Sequence, residues 1–232
     1  MSSELAVVGL GRMSYGEALT LQRATANARI EGVLNRDALL IVEHPPVITL
    51  GRGFKPEHLP TSEEEIQSRG IELFDIERGG DITFHGPGQL VGYPIMDLNE
   101  HEPDLHKFLR KLEEMLMATL ADVGIDANRR EGLTGVWVGD RKIASIGIHV
   151  KKWVTWHGFA MNVATDLSFF DFIVPCGIKD VTMTSVLKEL GERAPRDIWG
   201  RALDGVVLNF AQTFGQTPQA MTQEDLEALI AA

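Results

Sequence analysis

The segment Val174-Pro175-Cys176-Gly177-Ile178 holds the only cysteine among 232 residues. Proline biases the residue before it towards extended backbone, and glycine after it permits a tight turn and close approach of another group. A thiol at such a corner can act as a covalent nucleophile. A free cysteine is also often a small buried hydrophobe without chemistry, and the segment alone leaves both readings open. Lys142 opens the run Lys142-Ile143-Ala144-Ser145-Ile146-Gly147. Small and apolar neighbours place its amine beside buried surface, where the neutral form of a lysine is favoured; its plainer role is an edge lysine that snorkels to water. The stretch Arg78-Gly79-Gly80-Asp81-Ile82-Thr83-Phe84-His85-Gly86-Pro87-Gly88-Gln89 has too many glycines for a core strand and too varied a composition for a linker. It reads as a binding loop: glycine pairs let backbone amides approach a ligand, Arg78 offers a planar fork to an anion or carbonyl, and His85 can exchange a proton near neutral pH. A satisfied structural histidine is the alternative for His85.

Composition removes several classes of function. A formal net charge of −11 opposes the basic field that nucleic acid requires. Arg129, Arg130, Arg141, Lys142, Lys151 and Lys152 nevertheless fall in one short interval, which reads either as a docking patch for an acidic protein or as a solvated face. A single cysteine forbids an internal disulfide, and neither CxxC nor HExxH occurs, so no metal is expected. The absence of a signal-peptide pattern and of a membrane-length apolar run predicts a cytoplasmic protein. Gly9-Leu10-Gly11 hints at a dinucleotide turn, but Ser14 stands where the third glycine belongs, and a plain strand-to-helix turn fits better.

The elements that must position these residues follow from periodicity and punctuation. Strands are expected over 6–10, 38–43, 47–50, 71–77, 90–98 with a break near Gly92 and Pro94, 135–139, 142–150 and 155–163. Helices are expected over 15–32, from the Ser62 cap to residue 69, over 104–124, over 182–190 up to Gly191, through Ile198, Ala202, Val206, Phe210 and Phe214, and over 224–230. His101 and His106, five apart, read as surface residues. The pattern predicts a compact α/β domain with room for a small C-terminal subdomain.

Glu43-His44-Pro45-Pro46, the 78–89 stretch, Lys142 with Ser145-Ile146-Gly147, His157-Gly158-Phe159-Ala160 with Asn162, and Pro175-Cys176-Gly177 occur in an order and spacing that resemble the lipoyl(octanoyl) transferases of lipoate biosynthesis. The likeness runs from about residue 10 to residue 190. It implies an α/β fold of the lipoate/biotin protein ligase type, an α+β mixed sheet flanked by helices with a smaller sheet beside it, and one catalytic domain over 1–232. It implies transfer of an octanoyl group from octanoyl-acyl carrier protein to a lysine of lipoyl domains. The acceptors would be lipoyl domains of 2-oxoacid dehydrogenase complexes and the glycine cleavage H protein. The agent would be a cytoplasmic monomer that uses no cofactor, metal, nucleic acid or membrane. The family's cysteine and lysine map onto Cys176 and Lys142. Its substrate site maps onto Arg78, Gly79, Gly80, Asp81, Ile82, Thr83, Phe84 and His85, onto Ser145, Ile146 and Gly147, and onto Gly158, Phe159 and Ala160. The small residues in the last two groups are expected to leave room for an acyl tail, and backbone N–H groups near Gly177 or in the glycine-rich stretch to hold an oxyanion. The rivals are an ATP-dependent lipoate or biotin protein ligase, which activates a free acid and needs no thiol, a non-catalytic acyl-carrier-binding module in which Cys176 is incidental, and a thioesterase in which water replaces the amine.

Overall fold

The computed structural model describes residues 3–178 and 181–231. β1 (Ser3–Arg12) leads into α1 (Tyr15–Glu31) through Ser14, whose side chain accepts from the Glu17 N–H while the Glu17 carboxylate reaches back to the Ser14 backbone. Ser14 is therefore half of a capping box, which explains a serine where a dinucleotide turn would need glycine. β2 (Asp37–Glu43) and β3 (Val47–Leu50) follow, then the short α2 (Glu63–Ser68), β4 (Glu72–Asp75), β5 (Ile82–His85) and β6 (Gln89–Ile95). After α3 (Leu105–Asp122) come β7 (Asn128–Arg130), β8 (Leu133–Val138), β9 (Arg141–Lys151) and β10 (Val154–Asn162). β11 (Thr182–Met183), α4 (Val186–Leu190), α5 (Ile198–Phe214), β12 (Gln216–Met221) and α6 (Gln223–Ile230) complete the described chain.

Nine strands form the large mixed sheet in the order β12-β1-β2-β6-β10-β9-β8-β7, with β11 joined in parallel to β9. The order β4-β3-β5 forms the smaller one. The large sheet is covered on both faces, which is why β2 reads as an unbroken apolar run. Leu39 faces α3 and α5, in a cluster with Phe108, Leu112, Leu116, Val206 and Phe210. Its neighbour Leu40 faces α1 and α6, with Ala18, Leu21 and Leu226. The small sheet has its own core, in which Ile48, Ile82 and Phe84 pack against Phe170 and Ile173 of the chain leading to Cys176.

Several expectations change. The 78–89 stretch is not all loop: Ile82–His85 is a buried strand whose Phe84 pairs with Ile48, and the glycines serve its two ends, Gly80 at φ 84° and Gly88 at φ 80°. β6 runs unbroken through Gly92 and Pro94, both in register with β2; the Phe159 ring occupies the space a Cβ at Gly92 would need. The expected 182–190 helix begins only at Val186, because Thr182–Met183 pairs with Arg141 and Lys142 of β9 first. Towards the C-terminus, β12 adds a parallel edge strand to β1 of the large sheet. His106 is exposed, but His101 is not a surface residue: only 14% of its side chain is accessible and its Nε2 lies 2.6 Å from Asp37 Oδ2. The basic interval is divided. Arg129 holds buried Glu113, Arg141 grips Glu189, Arg130 lies over Trp137, and Lys142 is buried, while Lys151 and Lys152 are exposed at the far end of β9. Among the described residues no helix is long and apolar enough to cross a membrane, and no group of three metal-ligating side chains assembles.

Candidate active site

Lys142 sits one residue into β9, and its register fixes where the amine emerges. Nζ donates to Thr134 O and to Cys176 Sγ, each at 3.2 Å. The side chain is 2% exposed and its Nζ lies 5.3 Å from the centre of the Trp137 ring. Gly135 on β8 makes the space: a Cβ there would lie 2.7 Å from Lys142 Cε and 2.8 Å from Ala144 O, and its φ of +132° disfavours any side chain. The snorkelling alternative is thereby ruled out.

Cys176 reaches the same point from the other side. Val174 is extended, as the following proline requires. Cys176 then takes φ 57° and ψ 16°, and Gly177 takes φ 66°. A left-handed cysteine costs roughly 1–2 kcal/mol. Bonds from Gly177 N to Val174 O, from Ile178 N to Pro175 O and from Val174 N to His58 O hold it there. The residue is half-buried, with Ser145 Oγ 3.8 Å from its sulfur. Packing as a small inert hydrophobe calls for neither the strained corner nor an amine partner.

Thiol and amine open onto a cavity of about 240 Å³ between the two sheets. Of the expected substrate residues, Arg78, Gly80, Asp81, Ile82, Thr83, His85, Ser145, Ile146, Gly147, Gly158, Phe159 and Ala160 line it. Two do not. Phe84 alternates to the opposite face of β5 and stacks on Phe169 at 4.7 Å. Gly79 lies behind the wall, its N–H donating to Ile148 O at 2.8 Å and its carbonyl accepting from Arg78. Gly147 and Gly158 do not open a slot in the way expected. A Cβ at Gly147 would lie 2.7 Å from Gly79 O, and one at Gly158 would strike Gly92 O, so both glycines let backbones approach.

Three chemical expectations change as well. The Arg78 fork is already occupied: its guanidinium donates to Thr49 O at 2.7 Å, Thr49 Oγ1 at 2.9 Å and Gly79 O at 3.1 Å, clamping the turn to β3. His85 is no proton exchanger near neutrality, because burial, reinforced by His44, pushes its pKa down to about 3. Gln89 Nε2 donates to Phe84 O and Asn162 Oδ1, so Gln89 Oε1 accepts the Nδ1–H of His85. Of the backbone N–H groups expected to hold an oxyanion, those of Gly177 and Gly79 are bonded to carbonyls, which narrows that expectation to their neighbours. The remaining motif residues are structural supports. Glu43 Oε1 receives the Gly88 N–H. His44, whose burial lowers its pKa to about 4, bridges Met13 O and the Tyr93 hydroxyl. Asn162 donates to Thr184 O.

Sequence reasoning missed Tyr15, Val91, Tyr93, Thr134, His157 and Ile178, which also line the cavity. The sequence motif that contains His157 assigns it no role. It is buried at φ 56°, and among the described residues neither ring nitrogen has a hydrogen-bond partner, although Nε2 lies 3.8 Å from Glu77 Oε2. Nothing local in the sequence marks Tyr15, which arrives from α1.

A thiol and an amine in contact at one cavity are groups suited to acyl transfer. Residues 14–203 match the family model described as the lipoyl protein ligase A/B catalytic domain. An octanoyltransferase of Solibacter usitatus is 50% identical over 194 residues, 81% of this chain and 88% of its own. One of Caldicellulosiruptor saccharolyticus is 44% identical over 229 residues, 98% of this chain and 96% of its own. A solved lipoate-protein ligase A bound with ATP superposes with a TM-score of 0.76 at 18% identity, covering 100% of this chain and 93% of that one, a likeness of fold alone. The protein is an acyltransferase enzyme. The chain belongs to the lipoyl protein ligase A/B catalytic domain family and, within it, to the octanoyltransferases.

Proposed function

We propose that this enzyme transfers an octanoyl group from octanoyl-acyl carrier protein to a lysine of lipoyl domains through a thioester on Cys176. Those of 2-oxoacid dehydrogenase complexes and the glycine cleavage H protein are the acceptors, and the cytoplasm is the setting. The observation that carries the reading is the 3.2 Å contact between Lys142 Nζ and Cys176 Sγ at the edge of the cavity. A thioester already stores the free energy of amide formation, so activation of the nucleophile is the remaining task.

In the first half-reaction the Cys176 thiolate attacks the octanoyl carbonyl. The bond to the pantetheine sulfur breaks, and that sulfur takes a proton from the Lys142 ammonium. In the second, the acceptor lysine enters as a neutral amine and attacks the acyl-enzyme. Its surplus proton passes to Lys142, and Cys176 leaves as thiolate, which restores the starting pair. Thr134 O, the other partner of Lys142, accepts from the amine in either state and keeps it aimed. Ile82, Ile146 and Phe159 give the cavity apolar walls for the tail. Each buried methylene contributes about 0.8 kcal/mol, roughly fourfold in affinity.

Intact-mass analysis after mixing with octanoyl-acyl carrier protein tests this. The wild-type protein is expected to gain one octanoyl group that hydroxylamine removes, and Cys176→Ala to gain none. A wild-type protein that stays unmodified while transfer to a lipoyl domain proceeds would overturn the covalent route, and a requirement for ATP would favour a ligase.

A further inference from the structure

His58, in the connection between β3 and α2, is not used by the transfer scheme, yet it is tied to the nucleophile's corner at two points. Its carbonyl accepts the Val174 N–H at 2.8 Å, two residues before Cys176. Its Nδ1 lies 2.8 Å from Asp81 Oδ2, and because a carboxylate only accepts, that nitrogen carries the hydrogen. Asp81 is itself fixed, its Oδ1 accepting the Ile82 N–H at 2.7 Å. The paired side chains abut Gly177: a Cβ there would lie 2.6 Å from Asp81 Oδ2, 2.8 Å from His58 Cε1 and 2.9 Å from His58 Nδ1. The connection bearing His58 is in turn laced to the turn bearing Asp81, through Gly51 N to Asp81 O, Arg52 N to Arg78 O and Gly53 N to Gly80 O. The Gly177 side of the left-handed corner thus rests on a hydrogen-bonded pair, and its sulfur on Lys142.

The geometry assigns His58 and Asp81 the role of a positioning pair, which presses the Cys176-Gly177 corner into the site so that Sγ stays on Lys142 Nζ. The assignment rests on Cys176 being the nucleophile, and it deepens that reading. Neither side chain is asked to exchange a proton with substrate. The pair acts through Gly177 and the Val174 N–H, and the Nδ1 edge of His58 does the holding.

The test separates the two edges of the ring in the full-length enzyme. Asparagine places a donor near the position of Nδ1, glutamine near that of Nε2. The rate at which iodoacetamide alkylates Cys176 and the rate of octanoylation are measured together, and a displacement of about 1 Å costs on the order of 100-fold. His58→Ala is expected to slow both by roughly 10- to 100-fold with the donor's KM unchanged. His58→Asn is expected to recover most of the loss, and His58→Gln little of it. In a Lys142→Ala background, where the contact being protected is gone, His58→Ala should add little further loss of alkylation rate. Should His58→Ala not fold, the isosteric Asp81→Asn is expected to give the same slowing. Full rates in the folded His58→Ala protein, rescue by glutamine but not asparagine, or losses that simply add in the double variant would each overturn the assignment. If wild-type enzyme never acquires octanoate, the covalent route fails, while the alkylation rates still decide the positioning role.

Discussion

The two halves of the site are built by opposite means. Lys142 stands on a central strand, its backbone paired to Met183 on one side and Trp137 on the other, so that register alone points its amine. Cys176 stands outside both sheets, on a corner no ladder stabilises, held by turn bonds and by its contacts with His58 and Asp81. On the proposed route, a proton carrier that serves both half-reactions must not move, whereas a nucleophile that is acylated and then released needs surroundings that admit two large substrates. The contrast predicts that damage on the strand side resembles a loss of chemistry, and damage on the corner side a loss of aim.

The sharpest break of that contrast is at Lys142. Lys142→Ala should lower transfer by about 10²- to 10⁴-fold, the usual worth of general acid–base catalysis. Lys142→Arg keeps the charge but cannot accept a proton, and steady-state assays of both variants should find both impaired. A fully active arginine variant would reduce the lysine to a counter-ion. Next comes Gly135→Ala, whose methyl group would enter the space of Lys142 Cε and Ala144 O. Overpacking of this kind costs about 1–3 kcal/mol. Urea unfolding should register that loss together with slower transfer, and unchanged activity would mean that the amine need not be fixed.

Buried His85 and His44 provide a milder probe of the wall that both halves share. Their folded-state pKa values, lowered by burial to about 3 and about 4, lie below the unfolded value. At neutral pH both states are uncharged and stability is flat. As pH falls below about 6.5 the unfolded chain takes up protons that the folded chain refuses, so stability drops until the folded values are reached. Each histidine contributes a slope of about 1.4 kcal/mol per pH unit in that window. Urea midpoints from pH 7 to pH 4.5 should follow this fall, and His85→Gln should flatten it by about one proton. The smallest expected effect is on the corner itself. Cys176→Gly abolishes transfer but relieves a left-handed side chain, and should raise unfolding stability by roughly 1 kcal/mol. A destabilised glycine variant would mean that the corner is not strained.

Features carried by short sequence patterns were legible. The helices expected over 104–124 and through Ile198 to Phe214, and the strands expected over 135–139 and 142–150, are found as α3, α5, β8 and β9. The misreadings share one cause, which is that contacts distant in sequence decide the outcome. Arg141 looked free because its partner Glu189 lies 48 residues away. The 78–89 stretch looked like loop because its glycines, needed at the turns, mask a buried strand that only β3 completes. β12 carries too little apolar character to declare itself and exists because β1 offers an unpaired edge. His58 and Tyr15 carry no local mark at all.

The tie between Asn162 and Thr184 bears on how such an enzyme can change over time. Asn162 Nδ2 donates to Thr184 O, Leu187 N to Val163 O, and Thr184 N to the carbonyl of Lys142 itself. These bonds tie together the chain before and after the Cys176 corner, and where a segment is closed in this way the entropy of closure grows only slowly with length, by about 0.6 kcal/mol per doubling. Insertions along its outer stretch cost little while the knot at its base holds. The surface around the thiol is free to diverge between lineages with different partners, and the frame beneath the lysine need not change with it.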